Sequence, residues 1–118
     1  MKRILLMDDS VVFLDFARAG LEAAGYAVLC AGDLTQLQAV RDQPVDLILM
    51  DVQMPEAFGD DVAMTLRFAR DIKTPIYLLS SLEDSDLAER ARWAKIDGYI
   101  SKNRGLPAIV AEVRRILG

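Results

Sequence analysis

The chain has 118 residues, 53% hydrophobic and 27% charged, which suits one domain with a single core and excludes a disordered polyelectrolyte. Histidine is absent and Cys30 is the only cysteine, which excludes imidazole bases, Ser-His-Asp triads, His-ligated metals, disulfide frameworks and Cys-cluster zinc sites. The net charge of −4 argues against a general nucleic-acid surface.

In chain order, Ile4–Met7 is a short apolar run that stops at Asp8-Asp9, too early for a signal peptide or a membrane span. A cytoplasmic protein without membrane contact is expected. Val11–Ala24 has apolar residues at 11, 13, 14, 17, 21 and 24, near helical spacing, with Ser10 as N-cap and Gly25 at the C-terminus. Ala27–Cys30 is a second strand, with Cys30 expected as an inert buried thiol. Leu34–Arg41 is a helix with Leu34, Leu37 and Val40 on one face.

Leu47–Met50 is a third apolar run, and Gly59–Arg70 is helical with Val62, Leu66 and Ala69 aligned. Ile76–Leu79 reads as a fourth strand after Pro75. Asp84–Ala94 is a helix with Leu87, Ala91 and Ala94 inward and Trp93 off that face. Tyr99–Ile100 is a fifth strand after Gly98. Leu106–Leu117 is the last helix, with Pro107 in its first turn and Arg114-Arg115 in its last, where they suit the dipole.

Strand and helix alternate five times, and continuous apolar strands are buried on both faces. With right-handed crossovers this predicts an α/β, doubly wound, five-stranded parallel sheet in the order 2-1-3-4-5, flanked by five helices, with residues 1–118 as one domain. Ligands bind such sheets beyond the carboxyl ends of the strands. There the sequence places Asp8-Asp9 after strand 1, Asp51 after strand 3, Ser80-Ser81 after strand 4 and Lys102 after strand 5.

Strands 1 and 3 are neighbours, so three carboxylates converge. Two carboxylates about 4 Å apart repel by roughly 4 kcal/mol at an effective dielectric near 20. A hard divalent cation offsets that repulsion, and Mg²⁺ suits a site with few protein ligands and several waters. Lys102 adds a second positive charge. An aspartate beside a cation, a lysine and a hydroxyl can attack a phosphoryl group and become an aspartyl phosphate, a local charge change able to bias a two-state element.

The segments Met7-Asp8-Asp9-Ser10, Leu49-Met50-Asp51-Val52-Gln53-Met54-Pro55, Pro75-Ile76-Tyr77-Leu78-Leu79-Ser80 and Gly98-Tyr99-Ile100-Ser101-Lys102 together resemble the receiver domain of bacterial two-component response regulators, of which the chemotaxis response regulator is the nearest architectural analogue. The resemblance spans the whole chain. It implies that Asp51 is the phosphoacceptor, that Asp9 ligates Mg²⁺ directly and Asp8 through water, and that the backbone carbonyl of Gln53 completes the protein ligands. It implies that Ser80 and Lys102 bind the phosphoryl group and that Tyr99 is the aromatic switch. The implied partners are a histidine kinase or phosphotransfer protein upstream, and a downstream protein on the face of the fourth helix, fifth strand and fifth helix. Direct nucleic-acid binding and enzymatic activity beyond self-phosphorylation and self-dephosphorylation are not expected. Residues 90–118 hold 7 basic and 2 acidic side chains, which is either a solvated face or a surface for an acidic partner.

Three positions depart from the family pattern. Asn103 follows the lysine where a proline is usual; a cis bond there would cost roughly 3 kcal/mol, so a trans bond is expected. Ser81 stands in place of Ala or Gly, and Lys95-Ile96 in place of a Gly-Ala pair, which predicts a weakened helix cap. These departures leave open a pseudo-receiver that acts as a constitutive interaction module. A haloacid-dehalogenase-like phosphatase would need an acid/base aspartate where Gln53 stands. A flavin carrier would need a hydroxyl-rich loop where Asp8-Asp9 stand. The chain ends at Gly118, directly after the last helix, as expected for a stand-alone regulator or a receiver excised from a longer protein.

Overall fold

The computed structural model describes residues 1–40, 42–68 and 70–118, and the readings that fall on Arg41 and Ala69 lie outside them. Within the described residues the chain runs β1 (Arg3–Met7), α1 (Val11–Ala23), β2 (Ala27–Ala31), α2 (Leu34–Val40), β3 (Leu47–Met50), α3 (Gly59–Phe68), β4 (Ile76–Ser80), α4 (Asp84–Ala94), β5 (Gly98–Ser101) and α5 (Leu106–Leu117). A 3-10 turn over Lys102–Arg104 joins β5 to α5. The five strands pair in parallel in the order β2-β1-β3-β4-β5, as the alternation predicts.

Period-two alternation divides each strand between two cores. Leu5, Met7, Ile48, Met50, Ile76 and Leu78 pack with Leu37 of α2, Ala63 and Leu66 of α3, and Leu87 and Ala91 of α4. Ile4, Leu6, Leu47, Leu49, Leu79 and Ile100 pack on the other face with Leu14, Ala17 and Leu21 of α1 and Ile109 and Val113 of α5. Each fully buried Leu or Ile contributes roughly 1.5–3 kcal/mol of apolar transfer. That burial is what holds the strand ends, and therefore the polar groups beyond them, at one edge.

Local signals behave mostly as their chemistry dictates. Ser10 Oγ accepts from the Phe13 N–H at 3.2 Å and caps α1. Gly25, at φ 101°, turns the chain out of that helix. Among the apolar residues that give α1 its near-helical spacing, Leu14, Ala17 and Leu21 are buried, whereas Val11 in the first turn is 68% exposed. Cys30 differs from its expected burial: it is only half-buried, because β2 is an edge strand. The partial burial still pushes its thiol pKa up, against the opposing influence of Arg18.

At the end of α4, Lys95 itself takes the left-handed conformation at φ 56°, ψ 42°, and the cap forms without glycine. The Lys95 N–H donates to Arg92 O and the Ile96 N–H to Ala91 O, both at 3.2 Å. Half-buried Ile96 packs against the core and anchors the turn, which offsets the roughly 1 kcal/mol that a non-glycine residue loses there. Trp93 is 72% exposed, in keeping with its place off the apolar face.

Candidate functional site

The carboxylates sit one or two residues beyond strand ends, with their backbone still pinned by the sheet. The Asp8 N–H donates to Ala31 O at 3.1 Å, continuing the β1–β2 ladder, and the Asp51 N–H donates to Met7 O at 2.9 Å, continuing β1–β3. Asp8 and Asp51 are buried and Asp9 is exposed, and one carboxylate oxygen from each lies within 4.8 Å of the others. The expected convergence of three acids is therefore met, with one solvent-facing member that leaves the cluster open to ions and water.

Lys102, the first residue of the 3-10 turn after β5, crosses to these acids. Its Nζ donates to Asp8 Oδ2 at 2.5 Å and lies 3.7 Å from Asp51 Oδ1. Asp8 Oδ1 accepts from the Ser10 N–H at 2.9 Å, so both oxygens of this buried acid are satisfied. Asp51 is raised to about 6. Burial is the main cause, Asp8 and Asp9 add to it, and Lys102 and the Val52 N–H oppose it.

Ser80 is buried at the end of β4, and its Oγ accepts from the Leu82 N–H at 3.2 Å rather than bonding to Asp51. Gln53 is exposed in the loop after Asp51, where it forms an isolated antiparallel bridge with Phe58. Tyr99 is half-buried away from the acids, and with Arg104, Ala108 and Glu112 it lines a cleft of about 330 Å³ between β5 and α5. The structure thus gathers Asp8, Asp9, Asp51 and Lys102 into one cluster and leaves the Ser80 hydroxyl and Tyr99 outside it.

Acidic side chains held this closely suit a hard cation. Three carboxylates, one of them open to solvent, supply oxygen ligands and leave room for water, which fits Mg²⁺.

A family model described as the response regulator receiver domain matches residues 4–114. The chain belongs to the response regulator receiver family. Among curated relatives, the polar-differentiation response regulators DivK of Brucella ovis and Brucella abortus are 28% identical over 99% of this chain and 97% of theirs. Among solved structures, the chemotaxis protein CheY4 of Vibrio cholerae superposes with a TM-score of 0.86 at 24% identity, covering 98% of both chains. A CheY-like receiver domain protein from Methanospirillum hungatei gives 0.85 at 23% identity, covering 99% of this chain and 94% of that one. These likenesses bear out the fold, and the family model bears out the receiver assignment. Receiver domains of response regulators are signalling modules that bind Mg²⁺ at an acidic pocket and work with histidine kinases or phosphotransfer proteins. Among the described residues, no helix of this receiver is long and apolar enough to cross a membrane.

Three features of the site have no counterpart in the sequence reading. Gly59 opens α3 against the strand end: a Cβ there would lie 1.6 Å from Asp51 O, so only glycine lets the helix close on the site. The ring of Phe13 lies under Lys102, with its centroid 4.0 Å from Nζ. Asn103 Nδ2 donates to Ser81 O at 3.0 Å, joining two of the three positions that depart from the family pattern. Gly59 reads only as the start of a helix and Phe13 only as one of the apolar positions of α1, and the sequence shows Asn103 as a departure without showing its partner.

Proposed function

We propose that this receiver is phosphorylated on Asp51 by a histidine kinase or phosphotransfer protein, with Mg²⁺ held by Asp8, Asp9, Asp51 and the backbone carbonyl of Gln53. The observation that carries this reading is the position of Lys102 Nζ between the buried Asp8 and Asp51 carboxylates. The ammonium stands where charge builds on the oxygens of a phosphoryl group arriving at Asp51, and it is already oriented there. When bound, Mg²⁺ adds a second positive charge for those oxygens.

With its pKa near 6, Asp51 is mostly ionised at neutral pH and keeps a nucleophilic oxygen. An Asp51 Oδ–P bond forms as the P–N bond of a phosphohistidine breaks, and the imidazole leaves with the bonding pair and takes a proton. The new acceptor oxygens draw Lys102 from Asp8 and Ser80 Oγ from the Leu82 N–H. Movement of Ser80 shifts the loop that opens α4, and Tyr99 in the neighbouring strand follows. The downstream signal is then a changed face of α4, β5 and α5.

The donor must dock beside the acids. Val11, Val12 and Phe16 are 68%, 80% and 56% exposed on α1, immediately after Asp8-Asp9-Ser10, and they offer an apolar rim for that contact. The working unit under this proposal is the single domain 1–118, acting in the cytoplasm.

The test is incubation with radiolabelled acetyl phosphate and Mg²⁺. Label is expected on wild type, released by hydroxylamine, and absent from Asp51→Asn. Wild type that stays unlabelled with Mg²⁺ present overturns the proposal in favour of a constitutive interaction module.

A further inference from the structure

Among the described residues, the Lys102 ammonium contacts two carboxylates and one aromatic ring. Asp8 Oδ2 accepts from it at 2.5 Å and Asp51 Oδ1 lies 3.7 Å away. The third is the Phe13 ring, 4.0 Å from Nζ to centroid. Phe13 is the third residue of α1, and its N–H donates to Ser10 Oγ at 3.2 Å. The Ser10 N–H donates in turn to Asp8 Oδ1 at 2.9 Å. The contacts close a circuit from Asp8 through Ser10 and Phe13 to Lys102 and back to Asp8.

We propose that Phe13 is the positioning residue for Lys102, with the face of its ring holding the ammonium beside the acidic cluster. The proposal deepens the phosphorylation reading above and rests on it.

The physical need is specific. Lysine carries its charge on a flexible four-carbon stem, and this one remains 18% exposed, so its head group has somewhere else to go. The turn that carries it contains no cis peptide bond. The first turn of α1 directs the positive end of its dipole toward the same region and disfavours a cation there. An aromatic face is locally negative and attracts the ammonium without bearing a net charge. That attraction persists when the carboxylates are neutralised by another cation, the condition under which the ion pairs weaken. A leucine at position 13 would fill much of the same half-buried space and offer no such face.

The test compares wild type with Phe13→Leu, Phe13→Tyr and Phe13→Trp as full chains. In wild type the ring current shifts the Lys102 ε-methylene protons upfield in the NMR spectrum; Phe13→Leu abolishes the shift, and the aromatic variants retain it. With Mg²⁺ present, Phe13→Leu binds beryllofluoride, a phosphoryl mimic, about threefold to thirtyfold more weakly than wild type. Phe13→Tyr or Phe13→Trp restores the affinity, while Mg²⁺ binding without beryllofluoride is unchanged in all four proteins. The proposal is overturned if the ε-methylene signals of wild type match those of Phe13→Leu, or if both proteins bind beryllofluoride equally. Wild type that binds no beryllofluoride overturns the phosphorylation reading instead, and the lysine signals alone then decide whether Phe13 places the ammonium.

Discussion

Lys102 Nζ lies 2.5 Å from Asp8 Oδ2 and 3.7 Å from Asp51 Oδ1, so one ammonium serves two buried carboxylates contributed by different strands. Lys102→Met keeps the stem and removes the charge. Without Mg²⁺ at pH 7, the unfolding free energy is expected to fall by about 2–3 kcal/mol, because Asp8 and Asp51 are left buried without a counter-charge. The midpoint of Asp51 should also climb above 6, since Lys102 is the strongest influence holding it down. Urea denaturation and NMR titration of the Asp51 carboxyl carbon check both. An unchanged stability and midpoint would show that the pair is incidental.

Asp51 has an unusual linkage between pH and stability. Its folded value of about 6 lies above the ordinary 3.8, so the folded state holds an extra proton between those values. In metal-free protein, its contribution to stability is full below about pH 4 and is lost as pH rises through about 6. Asp51→Asn, which cannot ionise, should therefore be more stable than wild type at pH 7 by about 1–2 kcal/mol, less than the full shift implies because the cluster opens to solvent. The advantage should vanish near pH 4. Mg²⁺ competes with the same proton, so wild-type affinity for it should weaken about tenfold per unit below pH 6. Urea melts of both proteins and Mg²⁺ titrations across pH 4.5–7.5 give the comparison.

Gly59 is the backbone counterpart of the acidic cluster. Its N–H donates to Val52 O at 2.8 Å, and a methyl group at its Cα would fall 1.6 Å from Asp51 O. Because the obstacle is main chain, no rotamer change relieves it. Gly59→Ala is expected to cost about 3 kcal/mol or more and to weaken Mg²⁺ binding, as α3 withdraws and the Asp51 turn is rebuilt. Gly25→Ala is the control. It keeps the φ strain at 101° but meets no atom within 4 Å, so it should cost only about 1 kcal/mol and leave Mg²⁺ binding intact.

The sheet order and the acidic cluster were legible because each follows from a pattern that is local in the chain. Four-residue apolar runs such as Leu47–Met50 mark buried parallel strands, and the polar residue after each run lands at one edge once the topology is set. Contacts that depend on how helices lie across that edge were not legible. Phe13 reads as one more apolar residue of an amphipathic helix, and only its height above the sheet makes it a partner for Lys102. Val11 shows the same limit, since periodicity lists it with Leu14, Ala17 and Leu21 but does not say that it is exposed while they are buried. Lys95 shows the opposite limit: a local rule disfavoured the left-handed cap, and packing of Ile96 overrode it.

Asn103 closes the turn that carries Lys102, and it does so twice. Its N–H donates to Ser101 Oγ at 3.1 Å, and its Nδ2 donates to Ser81 O at 3.0 Å, in the loop that follows Ser80. The salt bridge from Arg104 to Asp84, at 2.7 Å, runs parallel to that link but is exposed and worth less. The two loops flanking the acidic edge are therefore tied mainly through one side-chain amide. Asn103→Ala keeps the backbone donor and removes only the tie, so it should cost about 1 kcal/mol of stability. If binding requires the Ser80 loop to move, releasing it lowers the free-energy cost of that movement, so beryllofluoride with Mg²⁺ should bind Asn103→Ala as tightly as wild type or more tightly. Asn103→Pro removes both bonds and fixes φ. It should lose about 1–3 kcal/mol unless the turn refolds around the ring. Thermal unfolding and beryllofluoride titration of the two variants separate the cases. A wild-type-like stability for Asn103→Ala would mean that the Ser81 carbonyl is satisfied as well by water and that the tie carries no energy.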